Sequence, residues 1–418
     1  MTQSNPIPIP VPCPADARLR GAEDSPPREG ALDLARVVLT LLVIAHHAVL
    51  AYHPYAPPAG AFTRENLIWG AFPVVDAARS PGVDALTLWN DAFFMALFFL
   101  LAGVFVPSSL TRKGAGKFFR DRLVRLGIPF AGAAAVLAPL AYYPAYLQRA
   151  EETGDPGFWN AWLALGVWPA GPAWFLWVLL AFSGIAAVLW VGVPRAFGWL
   201  GRWGAWCRDR PARACGVFSV IAILSYLPTC GWVSPFHWGT WGPFTVQTGR
   251  IALYAAYFIF GCALGAGNRE TIGAWMLPGG PLARRWIVWQ MVAGGVFVSF
   301  VAALIAWLTL NGKGQPSIVL GVVATMLFAL TGVTTTFALL AYWARKPRSP
   351  GPVLASLARN SFGMYLVHYA IVTWLQWTLL EVGWPGFVKA AGVTAAGIAA
   401  SWAVAAGLRR VPGLGRIL

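Results

Sequence analysis

The sequence predicts an all-α polytopic transmembrane helical bundle of about ten spans, with both termini in the cytoplasm. Three observations carry that expectation. Of 418 residues, 58% are hydrophobic and only 11% charged, where soluble domains carry about 25% charged residues. Apolar stretches recur from residue 31 to the C-terminus, each near the roughly 20 residues that cross a hydrocarbon core. Basic residues are concentrated in alternate loops, as the positive-inside bias of membrane proteins requires.

The expected spans are 33–53, 89–107, 126–146, 173–193, 215–233, 244–266, 286–310, 317–343, 360–381 and 387–408. An even number places both termini on one side. With the N-terminus inside, 25 of the 31 Lys and Arg fall on inner segments. The outer set is Arg64, Arg79, Arg149, Lys313 and Lys389, with Arg250 near an outer boundary. The net charge of +15 is therefore a topology signal, and no basic domain is present to hold nucleic acid. The expected location is a bacterial-type inner (cytoplasmic) membrane.

Residues 1–30 are Pro-rich and polar without an apolar core, which reads as a disordered cytoplasmic tail and not a cleaved signal. Residues 31–410 form one transmembrane unit. The outer loops 54–88 and 147–172 are long, and either could re-enter the membrane. Five cysteines without CxxC spacing imply neither a disulfide framework nor a metal site. No internal repeat of the transporter kind is visible.

Chemistry concentrates in a few places. The first span carries Arg36 and, eleven residues on, His47, with His46 beside it. Eleven residues is close to three helical turns, so Arg36 and His47 share a face about 16 Å apart along the axis. A histidine in an apolar span is expensive and marks function by default. A neutral imidazole suits a general base; a mere interhelical hydrogen bond is the plainer reading. Arg122 and Arg125, at i and i+3, present guanidinium forks suited to phosphate; alone they are equally well topology determinants. Ser361, Tyr365 and His368 form one polar stripe on an apolar helix. Asn90 and Asp91 lie at the outer edge of the second span, where an acid orients a histidine or merely sits at the interface. Trp174 reads most simply as an interfacial anchor. His53 and His237 are weaker candidates for contacts with a second substrate.

These pieces, in this order, resemble the membrane-bound acyltransferase-3 family. Arg36 and His47 are similar to its first-span Arg/Lys-x10-His motif. Phe98-Phe99-Leu100-Leu101-Ala102-Gly103-Val104-Phe105 is similar to its second-span FF-x-x-SG-x-F, with Ala102 where the family usually has Ser. Arg122-Leu-Val-Arg125 resembles its cytosolic Arg-x-x-Arg, Trp174-Phe175-Leu176 its WFL segment, and Ser361 to His368 its S-x-x-x-Y-x-x-H helix. The resemblance covers about residues 32–408, and the stand-alone bundle is similar to the glucan-succinylating branch and to simple O-acetyltransferases.

The resemblance implies transfer of an acyl group, often acetyl or succinyl, from cytosolic acyl-coenzyme A to a hydroxyl of an extracytoplasmic glycan, lipid or antibiotic. No bound cofactor is implied. In that reading His47 and Arg36 are catalytic and Arg122 and Arg125 bind the donor. His46, Asp91, Trp174, Ser361, Tyr365 and His368 line the site. His46 beside His47 departs from the usual single histidine; the spacing favours His47. The alternative of another class is a proton-coupled carrier of a small polar solute, which explains intramembrane histidines equally well.

Overall fold

The computed structural model describes residues 27–69, 72–266, 270–345 and 351–417. The tail expected over 1–30 lies outside them up to residue 26, as does Cys13. The chain is helical nearly throughout. Helix α1 (Pro27–Leu50) is followed by α2 (Val83–Val104) and then by a helical run over residues 106–153. That run comprises α3 (Val106–Arg122), a π-turn (Leu123–Gly127), α4 (Ile128–Gly132), a second π-turn (Ala133–Leu137) and α5 (Ala138–Thr153). A straight rod of 48 residues would reach about 72 Å, far beyond a bilayer. Gly114, at φ 72° and ψ 163°, breaks the rod, so the first turns of α3 form a separate piece.

Next come α6 (Phe158–Ala164), α7 (Trp174–Gly192), α8 (Pro194–Cys207) and α9 (Pro211–Val233). A two-stranded antiparallel hairpin, β1 (Trp238–Trp241) with β2 (Phe244–Gln247), leads into α10 (Ile251–Ala266). The short α11 (Glu270–Met276) precedes α12 (Trp286–Gly312), α13 (Ile318–Ala344), α14 (Pro352–Thr378) and α15 (Gly386–Leu408).

Among the described residues, nine helical segments are long and apolar enough to cross a membrane. They correspond to nine of the ten expected spans. The tenth expected span, 360–381, falls on α14. That helix is as long as the others, but Asn360, Ser361, His368, Thr373 and Gln376 interrupt its apolar sequence, and all five are buried. It packs on α1, α5 and α15, so its polar groups face protein. By contrast α12 presents Met291, Val298 and Ile305 outward, the pattern of a lipid-facing helix. Outside the expected spans lie α6, α8, α11 and all but the first two residues of α3, too short or too polar to stand out by hydropathy.

Close helix packing depends on small residues. A Cβ at Gly261 of α10 would lie 2.0 Å from the Leu100 carbonyl oxygen of α2, and one at Gly265 would lie 2.0 Å from Val104 O. These i, i+4 glycines let the two backbones touch. Gly261→Val is expected to push α10 off α2 and to lower the yield of monodisperse protein in detergent several-fold, checked by size-exclusion chromatography. An unchanged profile would mean that this contact tolerates displacement.

Among the described residues, the chain between α1 and α2 does not re-enter the bundle as a helix. It folds over one end as turns with a short π-helix (Glu65–Trp69). Arg149, 2% exposed, binds it through carbonyls: Nε donates to Ala59 O at 2.7 Å, Nη2 to Phe72 O at 3.1 Å, and Nη1 to Pro73 O. The Gln148 side chain pairs with both the N–H and the C=O of Val75. Lys389 Nζ meets Asp76 Oδ2 at 2.7 Å, both fully buried. Arg149 and Lys389, with Arg79, which donates to His53 O at 3.1 Å, are thus crosslinks within this cap.

Candidate active site

Two cavities lie one above the other along four helices. On α1, Arg36 and Thr40 line the first, and Val43, His46 and His47 the second. On α2 the same order runs from Phe105, Ala102 and Phe98 to Met95, Phe94 and Asp91. On α7, Leu179 and Phe175 line the first and Trp174 the second; on α14 the order is Ser361, Tyr365, Tyr369. Tyr365 lines both. Three aromatic rings separate them: Phe98, Phe175 and Tyr365 touch one another pairwise, with centroids 5.7–6.3 Å apart.

The first cavity, about 410 Å³, is basic. Arg36, Arg112, Lys113, Arg122 and Arg125 line it, against one carboxylate, Asp121. Lys113 is paired with Asp121, and Arg36 with Asp33 at 2.8 Å. Both Arg36 and Asp33 are about two-fifths exposed, so that pair holds Arg36 weakly. Arg122 packs over the Phe118 ring, 5.3 Å from its centroid. Arg112 and Arg125 have no carboxylate partner among the described residues. Arg122 and Arg125 therefore do face one way, on either side of the start of the first π-turn. Such a cluster of forks is chemistry for a polyanion.

The second cavity, about 160 Å³, contains the histidines. His47 Nδ1 lies 2.8 Å from Val43 O and 3.3 Å from His368 Nε2. His368 Nδ1 lies 2.6 Å from Tyr365 O. A carbonyl only accepts, so His368 carries its proton on Nδ1 and its Nε2 is an acceptor. His47 then also carries its proton on Nδ1, shared between Val43 O and His368 Nε2. The His47 Nε2 lone pair is left uncommitted, the tautomer a general base needs. Gln376 fixes the backbone beneath, donating to His47 O at 2.8 Å and to Ala48 O at 3.0 Å. Tyr369 packs edge-on against the His47 ring.

His46 points elsewhere. Its ring stacks on Phe94 at 5.1 Å, and its Nδ1 is buried without a hydrogen-bond partner. Asp91, its side chain one-third exposed, has a partner within the protein. Its carboxylate lines the histidine cavity and pairs with buried Arg250 at 2.6 Å. Arg250 was not singled out by sequence reasoning; a lone cation at the mouth of an apolar span was its signal. Trp174 is likewise not a lipid-facing anchor. It is buried, stacks on Tyr254 at 5.6 Å and walls the cavity.

Ser361 belongs to the basic cavity, donating to Ala358 O at 2.9 Å. The Tyr365 hydroxyl donates to Pro172 O. The stripe predicted on α14 is therefore a track from the cations to the histidines. His53 and His237 line neither cavity: His53 Nδ1 accepts from Tyr55 N at 3.2 Å, and His237 Nδ1 lies 2.7 Å from Thr248 Oγ1. No group of metal-ligating side chains occurs among the described residues.

The profile of the acyltransferase-3 family, described as an acyltransferase domain, matches residues 29–406. The chain belongs to this family. The match covers every helix that lines the two cavities. No curated protein and no solved structure shows a significant match. The acyltransferase assignment therefore rests on the family, and the two-cavity bundle is the setting in which its chemistry must operate. In this acyltransferase Ala102 lines the basic cavity, so that wall lacks the hydroxyl that the family's usual Ser would supply.

Proposed function

We propose that this acyltransferase moves an acetyl or succinyl group from cytosolic acyl-coenzyme A to a hydroxyl of an extracytoplasmic glycan or lipid, in a bacterial-type cytoplasmic membrane. One observation carries the reading: a basic cavity and a histidine cavity meet at Tyr365, with Arg36 and His47 eleven residues apart on one helix. That separation, about 16 Å, is similar to an extended pantetheine arm. The donor's phosphates sit among Arg122, Arg125 and Arg36, and its thioester reaches past the aromatic rings.

His47 Nε2 takes the proton of the acceptor hydroxyl as that oxygen bonds to the thioester carbonyl carbon. A tetrahedral oxyanion forms. Its collapse breaks the carbon–sulfur bond, and the departing thiolate takes the proton from His47. The Tyr365 hydroxyl, at the junction, meets the oxyanion by turning its single proton away from Pro172 O. His368 holds the His47 tautomer, and Asp91 faces the acceptor. Transfer of label from acetyl- or succinyl-coenzyme A to envelope glycans or lipids, by protein in nanodiscs, tests the reading. Vesicle uptake of a polar solute without acyl transfer would favour the carrier alternative instead.

Arg122→Gln and Arg125→Gln are each expected to raise the KM for acyl-coenzyme A about 10-fold or more while leaving that for the acceptor within twofold. The cause is loss of charge-assisted bonds, about 1.5–3 kcal/mol each. Equal effects on both substrates would assign these arginines to topology.

Sidedness is tested by cysteine labelling. The four described native cysteines are free and buried, so their background is low. Tyr55 is 78% exposed at the capped end, and the Asp209 side chain is 84% exposed on the α8–α9 connection. In intact cells Tyr55→Cys is expected to react with a membrane-impermeant thiol reagent and Asp209→Cys to remain unlabelled. The reverse pattern would invert donor and acceptor sides.

A further inference from the structure

Beside the basic cavity lies a second depression, about 550 Å³, within the roughly 300–1,000 Å³ of small-ligand sites. The mechanism above does not use it. It is formed where α3 begins, α7 ends, α8 runs across and α10 ends. Arg112 lines both this groove and the basic cavity, so the two adjoin at its side chain. Arg112 has no ion-pair partner among the described residues. The groove's far wall is Trp190 with Phe197, centroids 5.0 Å apart and edge to face, and Pro107 closes one side. A second cation stands at its rim. Arg202 Nη1 lies 3.9 Å from the Cβ position of Gly198, which also lines the groove. An indole wall, the Arg112 guanidinium at the mouth and the Arg202 guanidinium at the rim, packed over the Trp199 ring 5.8 Å from its centroid, fit a flat aromatic base carrying a phosphate.

We propose that this groove binds the 3′-phosphoadenosine end of the acyl-coenzyme A donor, with the base against Trp190, the 3′-phosphate toward Arg202 and the chain turning at Arg112 into the basic cavity. The inference rests on the donor reading above. It follows from the donor's length: once the pyrophosphate lies among Arg122 and Arg125 and the pantetheine runs toward His47, the nucleoside must leave the basic cavity on the side away from the histidines. The groove adjoins the cavity on that side, at the ends of α7 and α10.

The test compares binding of coenzyme A and of 4′-phosphopantetheine, which lacks the nucleotide, to the full-length protein in nanodiscs by calorimetry. The wild type is expected to bind coenzyme A at least 30-fold more tightly. Trp190→Ala is expected to weaken coenzyme A about 10-fold and to leave phosphopantetheine within twofold. Gly198→Leu, whose Cβ would have only Arg202 Nη1 near it, at 3.9 Å, is expected to do the same by crowding the groove that Gly198 lines. Equal weakening of both probes would assign the groove to packing or to a lipid and overturn the proposal, as would no change in either. A wild type that binds both probes equally tightly refutes the groove alone. A wild type that binds neither refutes the donor reading and the groove with it.

Discussion

His47→Ala is expected to lower kcat for acyl transfer by about 10³-fold, within the range of 10²–10⁴ for a lost general base, while the protein still purifies as a folded bundle. The reasoning is geometric. The Nδ1 proton of His47 is held between Val43 O and His368 Nε2, so Nε2 presents its lone pair to the cavity. Alanine removes that lone pair and leaves the Gln376 bonds to the helix backbone in place. His46→Ala is expected to cost far less, because His46 stacks on Phe94 and takes no part in the relay. The measurement is single-turnover transfer of labelled acyl group with each variant. Full activity in His47→Ala with loss in His46→Ala would reverse the assignment; activity in both would remove the histidine base from the mechanism.

Lys389→Met is expected to destabilise the protein by about 3–5 kcal/mol, the cost of stranding one member of a buried ion pair. Lys389 and Asp76 are 1% and 2% exposed, and the other Asp76 oxygen is engaged by Ala78 N at 2.8 Å. Methionine replaces the length of lysine but leaves the carboxylate without its cation. The double variant Lys389→Met with Asp76→Asn removes that charge and is expected to recover most of the loss. Thermal unfolding in detergent with each variant reads the difference. Equal melting temperatures for single and double variants would show that the buried charge is not the cause. Activity is expected to fall alongside stability in the single variant, because the cap that Asp76 anchors also supplies Leu67 to the histidine cavity.

Much of this architecture is legible from hydropathy and spacing, because lipid imposes both. Nine spans follow from apolar length alone, and α14 follows once its stripe of Ser361, Tyr365 and His368 is recognised as facing protein. The Arg36–His47 spacing anticipates that one helix serves both cavities. What escapes is whatever depends on distant partners. Asp91 reads as interfacial until Arg250, 159 positions later, is seen against it. Trp174 reads as an anchor because its stacking partner, Tyr254, lies on another helix. The cap between α1 and α2 has no periodicity of its own; it is shaped by Arg149 reaching carbonyls 76–90 positions away. Amphipathic α8 is short and arginine-rich, so it reads as a loop.

The ring of Phe98, Phe175 and Tyr365 has an electrical consequence. A protein that passes a group from one side of a bilayer to the other with an open bore would also pass protons, and each elementary charge crossing is driven by about 2.3 kcal/mol per 100 mV. On the donor reading proposed above, the three rings lie between the two cavities and keep the membrane an insulator while a neutral thioester passes them. A carboxylate-bearing acyl group such as succinyl meets two opposed effects at the same seal: leaving water for an apolar ring partition costs desolvation, while an inside-negative potential draws the anion outward.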